Sequence, residues 1–247
     1  MFDTHCHLTD LDAPYEEASA AIDRGVTLLS CGYHAESCRE VAALRYAAPR
    51  VGVAFGLHPW FAEEPLDPIL EHIEQPGASA VGEIGLDLYR SANVPTLDRQ
   101  RAVLEAQLEF ANRLGLPVSL HSRHAVEPLL EVLKRHPGVR GVFHAFTGSA
   151  EQARVALRLG FLLGVGGGAT RPGAKRVRRL IEQLPLESFV LETDCPAIPM
   201  DGISREQVRP WHVARVAATI AALKGVPLEA VEEVTDTNAA ALFPLAA

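Results

Sequence analysis

Two histidines spaced two residues apart, His5 and His7 in Asp3-Thr4-His5-Cys6-His7, introduce the chemistry of this chain. On a strand, successive side chains alternate faces, so His5 and His7 project together and Cys6 projects the other way. Two imidazoles on one face can bind a divalent metal if other segments bring further ligands. Candidates recur at the ends of later β-rich runs: Glu83, His121, His144 and Asp194. Six ligands are too many for one tetrahedral ion and suit two divalent ions that share a carboxylate. Glu83 is the expected bridge, because a carboxylate offers two oxygens where an imidazole offers one lone pair. One ion would take His5, His7, Glu83 and Asp194, and the other Glu83, His121 and His144. This donor set favours zinc, manganese, iron or nickel over a pure magnesium site, although ligand type alone does not exclude magnesium.

The elements that must position these residues alternate along the chain. Short β-rich runs are expected at 2–8, 26–31, 51–57, 79–85, 117–121, 139–144, 161–165 and 188–193. Amphipathic helices separate them. In Thr96–Leu114, for example, Leu97, Arg101, Leu104, Leu108 and Ala111 form a mostly apolar stripe interrupted by Arg101. Eight strand–helix units in about 250 residues predict a TIM (β/α)8 barrel, with a doubly wound open sheet as the alternative. Arg205–Lys224 and a final helix near Leu228–Leu242 close it. With no linker or repeat, residues 1–247 read as a single domain.

A net charge of −8 argues against broad coating of nucleic acid but not against an enzyme that grips a few phosphates through metal ions. The four cysteines, Cys6, Cys31, Cys38 and Cys195, have no zinc-ribbon spacing and read as free thiols in a reducing compartment. Neither a signal peptide nor a membrane span is apparent, so the expected location is cytoplasmic, with no membrane or obligatory protein partner.

Barrel enzymes place their chemistry at the C-terminal ends of their strands, where all six ligands fall. Asp194 is the candidate general acid/base and, with Glu83, the expected catalytic pair. His58, before Pro59 and Trp60 in a loop over the rim, is a candidate substrate-binding or supporting group. Arg123, two residues beyond His121, is a candidate phosphate clamp, with an ordinary surface arginine as the alternative. The Gly164–Gly168 run lies where barrels often seat phosphates, though tight backbone packing explains it equally well. His34, His72, His124, His136 and His212 fall in helices or at their starts and read as surface or packing residues. None of the three lysines, Lys134, Lys175 and Lys224, lies on an expected strand, which closes the route to a lysine-derived bridge. Strand alternation would also turn Asp3 inward with His5, and Glu192 inward with Asp194, leaving open what satisfies two buried carboxylates.

Asp3-Thr4-His5-Cys6-His7, Gly56-Leu57-His58-Pro59, Gly82-Glu83-Ile84-Gly85-Leu86-Asp87, Leu120-His121-Ser122-Arg123, Phe143-His144-Ala145-Phe146-Thr147-Gly148-Ser149 and Glu192-Thr193-Asp194-Cys195-Pro196 together resemble the TatD family of metal-dependent hydrolases. The late Thr237-Asn238-Ala239 and Leu242-Phe243 also fit. The resemblance implies a TIM barrel of the amidohydrolase type and a divalent-metal-dependent deoxyribonuclease. In characterised members the activity is largely a 3′→5′ exonuclease on single-stranded DNA, and the family's ligands fall on the same six positions. The loop Ala197–Gly202 followed by Val208-Arg209-Pro210-Trp211 departs from the Arg-Asn-Glu-Pro of many members and is similar to the YjjV-like branch. The expected reaction is phosphodiester hydrolysis of DNA, at single-stranded or 3′ ends, by a hydroxide held between two metals. Hydrolysis of a carboxylic ester or amide, such as an aminoacyl-RNA ester, is the first alternative, and a non-catalytic binding protein the second.

Overall fold

The computed structural model describes residues 1–48, 50–89, 94–243 and 245. Its strands are β1 (Phe2–Cys6), β2 (Thr27–Cys31), β3 (Val51–Phe55), β4 (Ala80–Asp87), β5 (Val118–Arg123), β6 (Gly141–Phe143), β7 (Phe161–Val165) and β8 (Phe189–Leu191). They form one parallel sheet in sequence order. The sheet curls so that β8 meets β1: Thr4 Oγ1 donates to the Leu191 carbonyl at 2.8 Å, and Asp194 N to the His5 carbonyl at 2.9 Å. The order and the near closure are those of a TIM barrel, not of an open doubly wound sheet. Around it run α1 (Pro14–Asp23), α2 (Ala35–Ala47), α3 (Asp67–Glu74), α4 (Leu97–Leu114), α5 (Val126–Leu133), α6 (Ala150–Arg158), α7 (Lys175–Gln183) and α8 (Val213–Lys224), followed by α9 (Leu228–Leu242). No helix among the described residues is long and apolar enough to cross a membrane.

Strand alternation splits the core in two. Leu28, Val53, Val81, Phe143 and Leu191 pack outward against the helices. Leu29, Cys31, Ala54, Ala80, Val142 and Val190 form a smaller inner cluster with Phe2. Leu242 and Phe243, at the end of α9, join that inner cluster and plug the floor of the barrel, the Phe2 and Phe243 rings lying 6.2 Å apart.

Two strands break the alternation. Asp3 pairs with Leu28 but Cys6 with Ser30, so three steps along β1 match two along β2. Val81 pairs with Val118 but Ile84 with Leu120, the same one-residue excess in β4. An extra residue switches the face of everything after it. Asp3 accordingly groups with Cys6 and Cys195 and not with His5, which corrects the inward orientation expected from uninterrupted alternation.

Strands six and eight are shorter than expected at both ends, and just beyond their C-terminal ends side chains take over backbone donors. Thr193 N donates to Asp3 Oδ1 at 2.8 Å, and Ala145 N to Glu192 Oε1 at 2.6 Å. The strands end at Leu191 and Phe143, although Glu192 N and His144 N still bond to the Val165 and Leu120 carbonyls, and His144 and Asp194 lie just beyond. Asp194 takes a left-handed φ of 52°, which Asp tolerates better than most residues.

The Thr96 side chain caps α4, accepting from Arg99 N at 3.3 Å. The buried face of the helix carries Gln100, Val103, Leu104, Gln107, Leu108 and Ala111. Arg101 is turned towards its edge, so the expected stripe is displaced by polar residues with buried partners. Gln107 accepts from Leu57 N at 2.7 Å and donates to Leu57 O at 3.2 Å. Gln100 does the same for Asp87, at 2.8 and 3.0 Å. The two glutamines thereby fix the backbone where β3 and β4 deliver their functional residues. Gln107→Leu would leave a buried amide without an acceptor and should cost about 1–3 kcal/mol in denaturant unfolding; an unchanged midpoint would refute this role.

Candidate metal centre

His5, His7, His58, Glu83, His144 and Asp194 are buried, and His121 nearly so, at the C-terminal mouth of the barrel. The extra residue in β4 matters most here. Val81 faces outward, and strict alternation would send Glu83 after it; the shift turns Glu83 to the axis. The β1 shift does the same for His5 and His7, since Phe2 already lies on the inner face.

Glu83 presents each oxygen to a different set of nitrogens. Oε2 lies 3.6 Å from His5 Nε2 and 3.5 Å from His7 Nε2. Oε1 lies 2.8 Å from His121 Nδ1, 3.3 Å from His144 Nε2 and 3.6 Å from His58 Nε2. Asp194 Oδ1 completes the first set, 3.2 Å from His7 Nε2 and 3.8 Å from His5 Nε2. The two imidazole nitrogens of that set are 3.3 Å apart. A tetrahedral ion with bonds of about 2.0–2.1 Å spaces its ligand atoms ~3.3 Å apart, so the first set matches such a shell.

Tautomers point the same way. His7 Nδ1 donates to the Cys31 carbonyl at 2.9 Å, which leaves the Nε2 lone pair facing Glu83 and Asp194. His5 Nδ1 lies 2.8 Å from Ser119 Oγ, again leaving Nε2 for the cluster. His121 Nε2 donates to Asp87 Oδ2 at 3.0 Å, so the ring turns Nδ1 towards Glu83 Oε1. A lone pair facing a carboxylate oxygen at 2.8 Å requires a cation between them, either a proton or a metal ion. The residues present therefore fit a divalent centre.

Charge in the cluster follows the same division. Burial favours a protonated Glu83, but His58, His144 and His121 outweigh it and hold its pKa well below the usual carboxylate value. Burial favours a protonated Asp194 too, and His144 and His7 overcome it, so Asp194 is also lowered. Burial opposes charge on His7, but Asp194 and Glu83 raise its pKa to about 9. Against the same opposition His144 is raised well above its ordinary value, chiefly by Glu83 and Glu192. His58 is lowered to about 3 by burial and by His121 beside it. It is therefore neutral, and because its Nδ1 accepts from Trp60 N at 3.1 Å, its Nε2 carries the hydrogen. His58 thus enters the cluster as a hydrogen-bond donor aimed at the Glu83 side.

Reasoning from sequence missed the role of Asp87 and left the partners of Glu192 and Asp3 open. Asp87 accepts from His121 Nε2, from Trp60 Nε1 at 2.8 Å and from Tyr89 N at 2.7 Å, holding the His121 ring and the Trp60 loop together. The signal was present, since Asp87 follows Glu83 by four residues and so shares its face beyond the shift. Glu192 Oε1 lies 3.4 Å from His144 Nδ1 and steadies that ring. The first glycines of the Gly164–Gly168 run make room for it, because a Cβ on Gly164 would overlap Glu192 Oε2. Asp3 is satisfied on the other side of β1 by Thr193 N and by Thr193 Oγ1 at 2.6 Å, and burial raises its pKa well above normal.

Arg123 is not brought into the cluster. It is exposed on the rim, its guanidinium 3.6 Å from the centre of the Tyr89 ring. His34 caps α2 by accepting from Ser37 N, and His72 stacks on Phe55. His124, His136 and His212 also lie outside the ligand groups found among the described residues.

The TatD related DNase family profile matches residues 2–244. The uncharacterized metal-dependent hydrolase YjjV of Escherichia coli is 38% identical, covering 98% of this chain and 97% of its own. The YjjV crystal structure superposes with a TM-score of 0.89, covering 100% of this chain and 98% of that one. Human deoxyribonuclease TATDN3 is 34% identical, over 99% of this chain and 94% of its own. The 3′-5′ ssDNA/RNA exonuclease TatD of Citrobacter koseri is 32% identical over 100% of both chains. With a profile match and relatives above 30% identity along nearly its whole length, the chain belongs to the TatD-related DNase family.

Proposed function

We propose that this chain is a divalent-metal-dependent phosphodiesterase that shortens single-stranded DNA from its 3′ end, with residues 1–247 acting as one hydrolase domain. The observation that carries this reading is Glu83, whose two oxygens face two separate groups of imidazole nitrogens. His5, His7, Glu83 Oε2 and Asp194 would hold one ion, and Glu83 Oε1, His121 and His144 a second, of zinc, manganese, magnesium, iron or nickel. When bound, such a pair polarises a phosphoryl oxygen and makes water a nucleophile at neutral pH. The relatives named deoxyribonuclease and 3′-5′ ssDNA/RNA exonuclease support the substrate and its polarity. The four buried free thiols accord with a reducing compartment, which supports the cytoplasm as the place of action.

Each side chain then has a defined task. Asp194, kept ionised, takes a proton from the attacking water as the new P–O bond forms. The same carboxyl returns that proton to the departing 3′ oxygen as the old P–O bond breaks, leaving a 5′-mononucleotide and a shortened strand. His58 donates its Nε2 hydrogen to a non-bridging phosphate oxygen. Asp87 and Glu192 act through His121 and His144, keeping their rings in place.

The purified protein should carry divalent metal and digest a 5′-labelled single-stranded oligonucleotide to a ladder receding from the 3′ end. Chelator should abolish the ladder, and Glu83→Ala should lose both ions and nearly all activity. Bound metal with an intact oligonucleotide would reject the nuclease and direct the search to esters and amides. Asp194→Asn should retain part of its metal yet lose turnover; near-normal turnover would remove Asp194 from its role. Asp87→Asn should weaken metal binding roughly 10–100-fold in competition with a chelator, and unaltered affinity would show that Asp87 does not position His121.

A further inference from the structure

Outside the centre, the most distinctive surface is a trough between α6 and α7. Its first part, a cleft of about 700 Å3, is lined by Arg123, His124, Thr147, Gly148, Lys175 and Arg176 among others. Its second part, of about 460 Å3, shares Gly148, Lys175 and Arg176 and adds Arg179. The trough begins two residues beyond His121 and three beyond His144, so it adjoins the strand ends that carry those ligands.

Charge sets it apart from the rest of the molecule. The chain has 31 acidic and 23 basic residues, yet α7 reads Lys-Arg-Val-Arg-Arg-Leu-Ile-Glu-Gln. Lys175, Arg176 and Arg179 are exposed, and none of them takes part in the ion pairs found among the described residues. Two acids also line the trough, and both have partners: Glu127 accepts from Gln152 at 3.0 Å, and Glu151 lies 3.9 Å from Arg154. Exposed cations gathered along one groove raise its positive potential and favour anions there. Their distribution over two adjoining clefts suits a chain of anions better than a single one.

Trp60 and Tyr89, both 47% exposed, extend this surface around the rim. They follow β3 and β4, Arg123 ends β5, Thr147 follows β6 and Lys175 follows β7. In a barrel whose strands are neighbours in sequence order, this is one continuous arc from aromatic faces to cations. The exposed Trp60 ring beside a basic groove, with Tyr89 already carrying the Arg123 guanidinium, suits unpaired bases on a sugar-phosphate backbone.

We infer that the trough is a backbone-binding subsite for single-stranded nucleic acid, in which Lys175, Arg176 and Arg179, with Arg123 at the mouth, hold phosphates lying beyond the linkage at the centre. The inference rests on the nuclease reading above and extends it to the part of the strand that is not being cut. Acidic surroundings confine binding to this path, and the enzyme keeps hold of the strand as its end recedes.

The test is fluorescence anisotropy with the metal-loaded protein and a labelled 12-nucleotide single strand. Its three 3′-terminal linkages are phosphorothioates, so that it is not shortened. The variant Lys175→Gln/Arg176→Gln/Arg179→Gln should bind at least about tenfold more weakly. Its slope of log affinity against log salt should be shallower by about 2. A control that removes three cations from the opposite end of the barrel, Arg113→Gln/Lys134→Gln/Arg135→Gln, should bind like the unaltered protein. Equal affinity of the trough variant and the unaltered protein, an equal loss in the control, or no binding by any of them overturns the inference. A duplex bound as tightly as the single strand overturns its assignment to unpaired nucleic acid. Failure of the nuclease reading looks different: the strand is held through the trough, but an unprotected version stays at full length with metal present.

Discussion

A strand that alternates without interruption sends every second side chain to the same face, and this barrel cannot obtain its ligands that way. Phe2 and Ala80 must face inward to fill the floor, and Val81 must face outward to meet the helices. From those starting points His5, His7 and Glu83 would all leave the axis. One extra residue in β1 and one in β4 reverse them. Below the two shifts the barrel is an apolar core; above them it is a ring of imidazoles and carboxylates. The boundary between stability and chemistry is thus set by register.

The buried carboxylates divide by the kind of partner they have. Asp3 is held by the Thr193 amide and hydroxyl, Asp87 by the Tyr89 amide and the Trp60 indole as well as His121, and Glu192 by the Ala145 amide. Glu83 and Asp194, among the described residues, face imidazole nitrogens. Fixed donors make the first three part of the scaffold, although Glu192 keeps one oxygen without a hydrogen-bond partner and the other beside His144. The other two meet groups that can exchange a proton for a metal ion. Sorting by donor type separates ligand candidates from supports without reference to any relative.

Much of the architecture was legible in the sequence because eight β-rich runs separated by helical stripes leave few topologies open. The gathering of His5, His7, Glu83, His121, His144 and Asp194 was legible from their position at strand ends. Their facing was not, because a one-residue register shift leaves no mark in composition or period. Uninterrupted alternation keeps His5 and His7 together but wrongly adds Asp3 to them. The glutamines of α4 escaped for a related reason: a buried Gln reads as a surface residue until its backbone partners, Leu57 and Asp87, are known. Arg123 shows the reverse limit. Sharing a strand with His121 placed it near the mouth, but its side chain leans on Tyr89 and away from the ligands.

The seam between β1 and β8 also determines when the centre can exist. His5 and His7 are synthesised before Asp194 and Cys195, which bond to their backbone and follow them by almost 190 residues. A chain still emerging from the ribosome has two histidines and an open edge, without the carboxylate that completes their set. An ion held by His5, His7, Glu83 and Asp194 would therefore bind only after the last strand has closed. Such an ion would clasp the first and last strands from within, and its loss would loosen the barrel where they meet.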